Sequence, residues 1–413
     1  MKIRKGAVFS AALAAFVLIY FARPIYIHRT SEPTPAQDKC LKAGQPDDPR
    51  SLPRPDESGI VKVIEMTGLG EFADRCQITD ALYALNWDRK TYYPKDFHVV
   101  VKDGAVPKSK LAILYIHGWH NDANPKGGDL FEFTNLTKRI AGENADKQVV
   151  GIYISWPANS NIPIWHYLDF WQKKGIADRV AASGNVTNVI AAASEIITRS
   201  EVGGRFITIG HSFGARILMA STIQSAIVAT QVAHPGRPFA PYKEVKSLAQ
   251  TAIFLNPAFE ASYFTPIAAF DRLEEPFPAV QKPVLMTIAT DNDYATSIAF
   301  PAGQWLAWRT GAKDTNTLGN YEPYWTHTLD IQGASYCRGV HARDGLTEQF
   351  SAAGSCLRRE NAGAYNPFMV VRTNSKILSG HNGIWNKNFV GWLFRYLDEL
   401  AKQLPEKTEV APK

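Results

Sequence analysis

Two short runs constrain the fold more than anything else in the chain: LAILYIHG (111–118) and VVGIYISW (149–156). Both are apolar at consecutive positions, so a strand made from either must be covered on both faces. Between them, residues 130–145 carry apolar side chains at intervals of three and four, which predicts a helix. Doubly buried strands joined through a helix are the mark of parallel pairing by crossover connections. The alternation continues with expected strands at 205–210, 251–257 (TAIFLNP), 284–290 (VLMTIAT) and 368–374 (FMVVRTN). Helices are expected over 176–200, 212–231 and roughly 387–403, and a further strand at 97–104 (FHVVVKDG). The fold class is therefore α/β, a mostly parallel sheet with helices on both faces.

The ends of the chain have a different character. Lys2, Arg4 and Lys5 precede residues 6–22, which carry no charge and would span about 25 Å as a helix. Residues 1–29 read as a signal-anchor rather than a cleaved signal peptide, because Tyr20, Phe21 and Arg23 spoil the small-residue pattern that signal peptidase needs. The basic start keeps the N-terminus in the cytoplasm and sends the rest across the inner membrane, to the periplasm or outside; secretion after cleavage is the alternative. Residues 30–58, with six prolines among polar side chains, read as a linker. The body is expected at 59–403, and residues 404–413 form a polar tail.

Four cysteines fit an exported protein, with local bridges expected as Cys40–Cys76 and Cys337–Cys356, although four allow three pairings. They lack the close spacing of a structural zinc site. The net charge of +6 has no basic cluster outside the leader, which argues for a solvated surface and against a nucleic-acid partner. Residues 301–365 show weak periodicity and are expected to form an insertion or lid-like region before the last strand. An aromatic group at 160–174, including Trp165, Tyr167, Phe170 and Trp171, reads first as packing and second as a pocket rim.

One stretch carries chemistry. In RFITIGHSFGARILMA (205–220), a β-branched run turns into a helix within Gly210-His211-Ser212-Phe213-Gly214. A parallel sheet gathers reactive groups at the carboxyl ends of its strands, and glycines two before and two after Ser212 let strand and helix pass closely. The following helix aims its free N–H groups at the same place. Ser212 is thus presented as a nucleophile.

A serine needs a base, and the base needs a carboxylate to orient it. His381 lies in LSGHNGIW after the last strand, and TDNDYAT after strand 284–290 offers Asp291 and Asp293. The order Ser, Asp, His at three strand ends makes a triad. Oxyanion donors are expected from the backbone N–H of Phe213 and from Trp119 in the YIHGWHNDAN turn. His117 and His120 in that turn have no acidic partner in a known metal-binding spacing.

Through LAILYIHGWHNDAN, GIYISWPA, TIGHSFGARIL, IFLNPAFEA, TDNDYATSIAFP and SGHNGIW, residues 95–403 resemble the α/β-hydrolase superfamily, in a lipase- and esterase-like bacterial branch of serine hydrolases. The resemblance implies Ser212 as nucleophile, His381 as base, and Asp293 in preference to Asp291 as the acid. It implies cleavage of a small-molecule acyl ester through an acyl-enzyme, with neither cofactor nor metal. Thioester or amide cleavage and acyl transfer on the same triad remain open, as does a membrane-tethered binding protein without turnover. The 88 residues from Asp293 to His381 exceed the usual connection, and residues 301–365 account for the excess.

Overall fold

A computed structural model describes residues 58–85, 108–159, 170–200, 202–234, 236–237, 240–270, 277–278, 280–331, 346–360 and 366–402. The expected anchor, the linker up to residue 57, the strand at 97–104 and the tail lie outside these residues.

Among the described residues, ten strands form one sheet in the order β1-β3-β2-β4-β5-β6-β10-β7-β9-β8. Its strands are β1 (Ile60–Glu65), β2 (Ser109–Ile116), β3 (Lys147–Ser155), β4 (Gly204–His211) and β5 (Thr251–Leu255), followed by β6 (Leu285–Thr290), β7 (His327–Ile331), β8 (Gln349–Ala352), β9 (Ser355–Arg359) and β10 (Phe368–Thr373). From β1 to β7 in that spatial order every neighbour pairs in parallel. Beyond β7, β9 pairs antiparallel with both β7 and β8.

The helices longer than a single turn are, among the described residues, α1 (Arg75–Leu85), α2 (Gly128–Glu143), α3 (Phe170–Ala182), α4 (Asn185–Thr198), α5 (Phe213–Ala233), α6 (Phe300–Leu306) and α7 (Lys387–Lys402). Alternate residues of β2 feed opposite faces: Ala112, Leu114 and Ile116 join one core, and Leu111, Ile113 and Tyr115 the other. The first core is closed by α1, α3, α4 and α5, and the second by α2 and α7. Each fully buried aliphatic side chain contributes roughly 1.5–3 kcal/mol, so the runs that looked doubly apolar in the sequence sit where that gain is largest. Helix α5 is long and apolar enough to cross a membrane, but 67% of its most apolar window is buried inside the fold. Its hydropathy is that of a helix packed on several sides.

Two expectations are corrected. The single helix expected at 176–200 is two, α3 and α4, bent by 47°. Gly184, with φ 75°, makes the break, a left-handed position that no helix interior accommodates. Residues 301–365 are also more than an insertion over the site. They supply β7, which pairs with β10 through Val371 and His327, and a hairpin of β8 and β9. The hairpin turns on Ala353 and Gly354, both at positive φ (47° and 76°), the geometry whose twist matches the flanking strands. These strands are short and half polar, so no long apolar run announced them. Residues 332–345 of this region lie outside the described residues.

Candidate active site

The chain order reverses at the pair β2–β4. From β2 the chain crosses to β3 on one side, and from β4 to β5 on the other. Their carboxyl ends therefore splay into a crevice, the place where open α/β sheets bind ligands. Ser212 is the whole connection between β4, ending at His211, and α5, starting at Phe213. It has φ 54° and ψ −117°, a conformation costing a non-glycine residue about 1–3 kcal/mol.

Three hydrogen bonds and two close clearances force that turn. The Ser212 N–H donates to the Leu255 carbonyl at 3.0 Å, and the Ser212 carbonyl accepts from Ala258 (3.1 Å) and Arg216 (3.2 Å). A Cβ on Gly214 would overlap the Ile116 carbonyl and lie 2.5 Å from that of His117, and one on Gly210 would lie 2.7 Å from the Ala215 Cα. Only glycine lets the start of α5 close onto the end of β2.

Three expected residues meet in one hydrogen-bonded chain. The Ser212 hydroxyl is 2.7 Å from His381 Nε2, and His381 Nδ1 is 2.7 Å from Asp293 Oδ2. The second oxygen of Asp293 accepts from the Thr296 N–H at 3.1 Å. The imidazole is 18% exposed and the carboxylate beneath it 0%. Burial by itself would raise the Asp293 pKa. The charge and hydrogen bond of His381, with the Thr296 donor, outweigh it and hold the carboxyl below its ordinary range. Asp291, by contrast, is exposed at the end of β6, its N–H bound to the Thr373 carbonyl.

The backbone N–H groups of Trp119 and Phe213 donate to no acceptor among the described residues. Their rings lie 6.4 Å apart, and Phe170 packs on both, at 5.9 Å from Trp119 and 5.1 Å from Phe213. Phe170 thus walls the crevice beside the two donors. Trp165 and Tyr167 lie outside the described residues. His117 is a structural hub: its Nδ1–H donates to the Gly118 carbonyl at 2.8 Å, and its Nε2 accepts from the Trp156 N–H at 3.1 Å.

The residues that hold His381 in place were not anticipated. Asn256, fully buried at the end of β5 with φ 41°, donates to the carbonyls of Gly380 (3.1 Å) and His381 (2.9 Å). Its own carbonyl oxygen accepts from the Thr290 N–H. Asn292 accepts from the Gly380 N–H at 3.0 Å, and His211 Nε2–H donates to the His381 carbonyl at 3.0 Å. Farther along the same loop, the Trp385 indole donates to Asp129, whose other oxygen accepts from the Tyr115 hydroxyl. Position at a strand end is the one sequence signal these groups share, and many strand-end polar residues share it.

His211 is buried, and desolvation pushes its pKa down to about 4; His327, buried at the start of β7 with Nε2–H donating to the Thr347 carbonyl, is likewise pushed to about 4. Both are neutral in the fold, whereas an unfolded histidine binds its proton near 6.5. Between those values the unfolded chain binds more protons, so stability is full above about pH 6.5 and drains as pH falls toward 4. Denaturant titrations at pH 7 and pH 5 are expected to differ by about 2 kcal/mol for each of the two. Equal stabilities at the two pH values would show that neither ring is held neutral.

The chain matches no protein-family model and no curated protein sequence. Among solved structures it is distantly similar to the phospholipase PlaB from Legionella pneumophila in complex with thio-NAD, at 10% identity and a TM-score of 0.27. The similarity covers 71% of this chain and 63% of that one, so the chain spans less than two thirds of its neighbour's length. A likeness this distant carries no conclusion about activity; the conclusion the structure does carry is an α/β body with a parallel sheet whose β2–β4 crevice holds Ser212, His381 and Asp293 in one hydrogen-bonded chain.

Proposed function

We propose that this chain is a serine hydrolase of the α/β-hydrolase type, cleaving a carboxylic ester through an acyl-enzyme. One observation carries the reading: an unbroken chain of hydrogen bonds from the Ser212 hydroxyl through both nitrogens of His381 to the buried Asp293 carboxylate. His381 Nε2 takes the serine proton as Oγ attacks the acyl carbonyl, and returns it to the leaving alcohol. Water, deprotonated by the same nitrogen, then attacks the acyl carbonyl, and the proton passes to the Ser212 oxygen as the acid leaves. Asp293 accepts from Nδ1–H throughout, which fixes the tautomer that leaves Nε2 free to accept and stabilises the imidazolium. The N–H groups of Trp119 and Phe213 hold the oxyanion, favoured by the strained turn that faces α5 toward the crevice. The chemistry calls on no cofactor.

We further propose that the body works outside the cytoplasm, tethered by residues 1–29. Supporting this, neither Cys76 nor Cys356 is a free thiol, a state that persists in oxidising compartments. Their expected partners, Cys40 and Cys337, lie outside the described residues. The direct test of the chemistry is a fluorophosphonate probe on the full-length protein, followed by peptide mass spectrometry. The expected adduct is on Ser212. A folded protein modified elsewhere, or nowhere, would overturn the reading.

A further inference from the structure

Directly after Asp293 the chain leaves the carboxyl end of β6 as a π-helical turn, Ala295–Ala299, that runs straight into α6. Its inner side is pinned to the fold. Thr296, Phe300 and Gln304 are buried, and Gln304 Nε2 donates to the buried Glu260 at 2.5 Å. Phe300 meets the Phe170 ring edge-on at 6.4 Å, and Gly303 lies under the Trp171 indole.

The outer side is opposite in kind. Tyr294 is 72% exposed, Ile298 60%, Trp305 70% and Trp308 93%. All four are exposed along the turn, α6 and the residues just past its end, while Thr296, Phe300 and Gln304 between them are buried, so the segment has one apolar side turned out and another turned in. Tyrosine and tryptophan each present roughly 150–250 Å². Together these four make a patch on the order of several hundred Å², the scale that marks an interaction surface rather than scattered apolar exposure.

We propose that this face docks on a lipid bilayer. Three features select that occupant over a protein. The two tryptophans and the tyrosine are the side chains that settle at headgroup level, with an apolar body and a polar handle. No acidic residue occurs from 294 to 313, and Arg309 and Lys313 close the stretch, a charge pattern complementary to anionic headgroups. The sequence outside the described residues also begins with the basic and apolar stretch at 1–29, and the tether proposed from it would keep a bilayer close at hand. Because the face begins at Asp293 and shares the carboxyl edge of the sheet with Ser212, docking brings the crevice to the lipid surface. On the proposed ester chemistry, the substrate class is then the acyl ester of a membrane lipid; the docking itself does not rest on that chemistry.

The test uses the full-length protein reconstituted in vesicles of phosphatidylcholine with and without phosphatidylglycerol. Trp308→Cys carries an environment-sensitive dye, the unaltered protein taken through the same labelling gives the background, and Val232→Cys, 76% exposed at the far end of α5, is the control position. A quencher attached to the lipid chains is expected to dim the dye at position 308 severalfold, more strongly with phosphatidylglycerol, and to spare position 232. An aqueous quencher reaching 308 where the lipid quencher does not would overturn the proposal. So would protection from both, which would mean that another segment or a second copy covers the face. The pair Trp305→Ser and Trp308→Ser is expected to slow hydrolysis of a vesicle-embedded ester at least about tenfold and to leave a soluble short-chain ester within about twofold. Equal rates on the embedded ester would end the link between docking and catalysis. If the unaltered chain hydrolysed no ester, the chemical reading would fail, and the dye result would still decide the docking.

Discussion

Ser212→Ala is expected to lower ester turnover by about 10⁵–10⁶-fold while the fold survives. Among the described residues the Ser212 hydroxyl has one hydrogen-bond partner, His381, so its removal orphans no other buried donor there. The backbone contacts that force φ 54° belong to the N–H and carbonyl of residue 212 and to its neighbours, and alanine keeps all of them. A residual rate above that of water, from the Trp119 and Phe213 donors, is expected to remain. Initial rates on an ester panel, with circular dichroism to confirm folding, make the measurement. Turnover within tenfold of the unaltered protein would remove Ser212 from the chemistry.

The second large effect separates the two aspartates. Asp293→Asn is expected to cost about 10⁴-fold in turnover, whereas Asp291→Asn is expected to change it by less than about twofold. Asparagine at 293 would turn an amide donor toward His381 Nδ1, which would then have to accept. The ring proton would move to Nε2, the nitrogen that must take the proton of Ser212. Asp291 faces solvent, and no hydrogen bond joins its carboxylate to His381 among the described residues. Comparing the two variants at matched pH is decisive, and a reversed order of effects would reassign the acid.

Much of this site could be written down before any coordinates. The runs at 111–118 and 149–156 encode double burial in composition alone, and β2 and β3 appear there with ends shifted by only a residue or two. The turn at 210–214 is equally local: a strand pattern, two glycines at fixed offsets, a helix pattern. Asp293 was separable from Asp291 only through resemblance, because both lie in the same short turn and nothing in their spacing tells them apart.

Periodicity and turn chemistry are legible in the sequence, since both are written within a dozen consecutive residues. The sheet's extension through β7, β8 and β9 escaped it because those strands are too short and too polar to carry a period. How His381 is held follows from long-range packing. Asn256 reaches the carbonyls at 380 and 381 across more than 120 residues, and His211 reaches the same loop across 170. A hydrogen bond depends on where two atoms end up, and over such separations that place is set by the packing of the whole sheet rather than by any pattern near either residue.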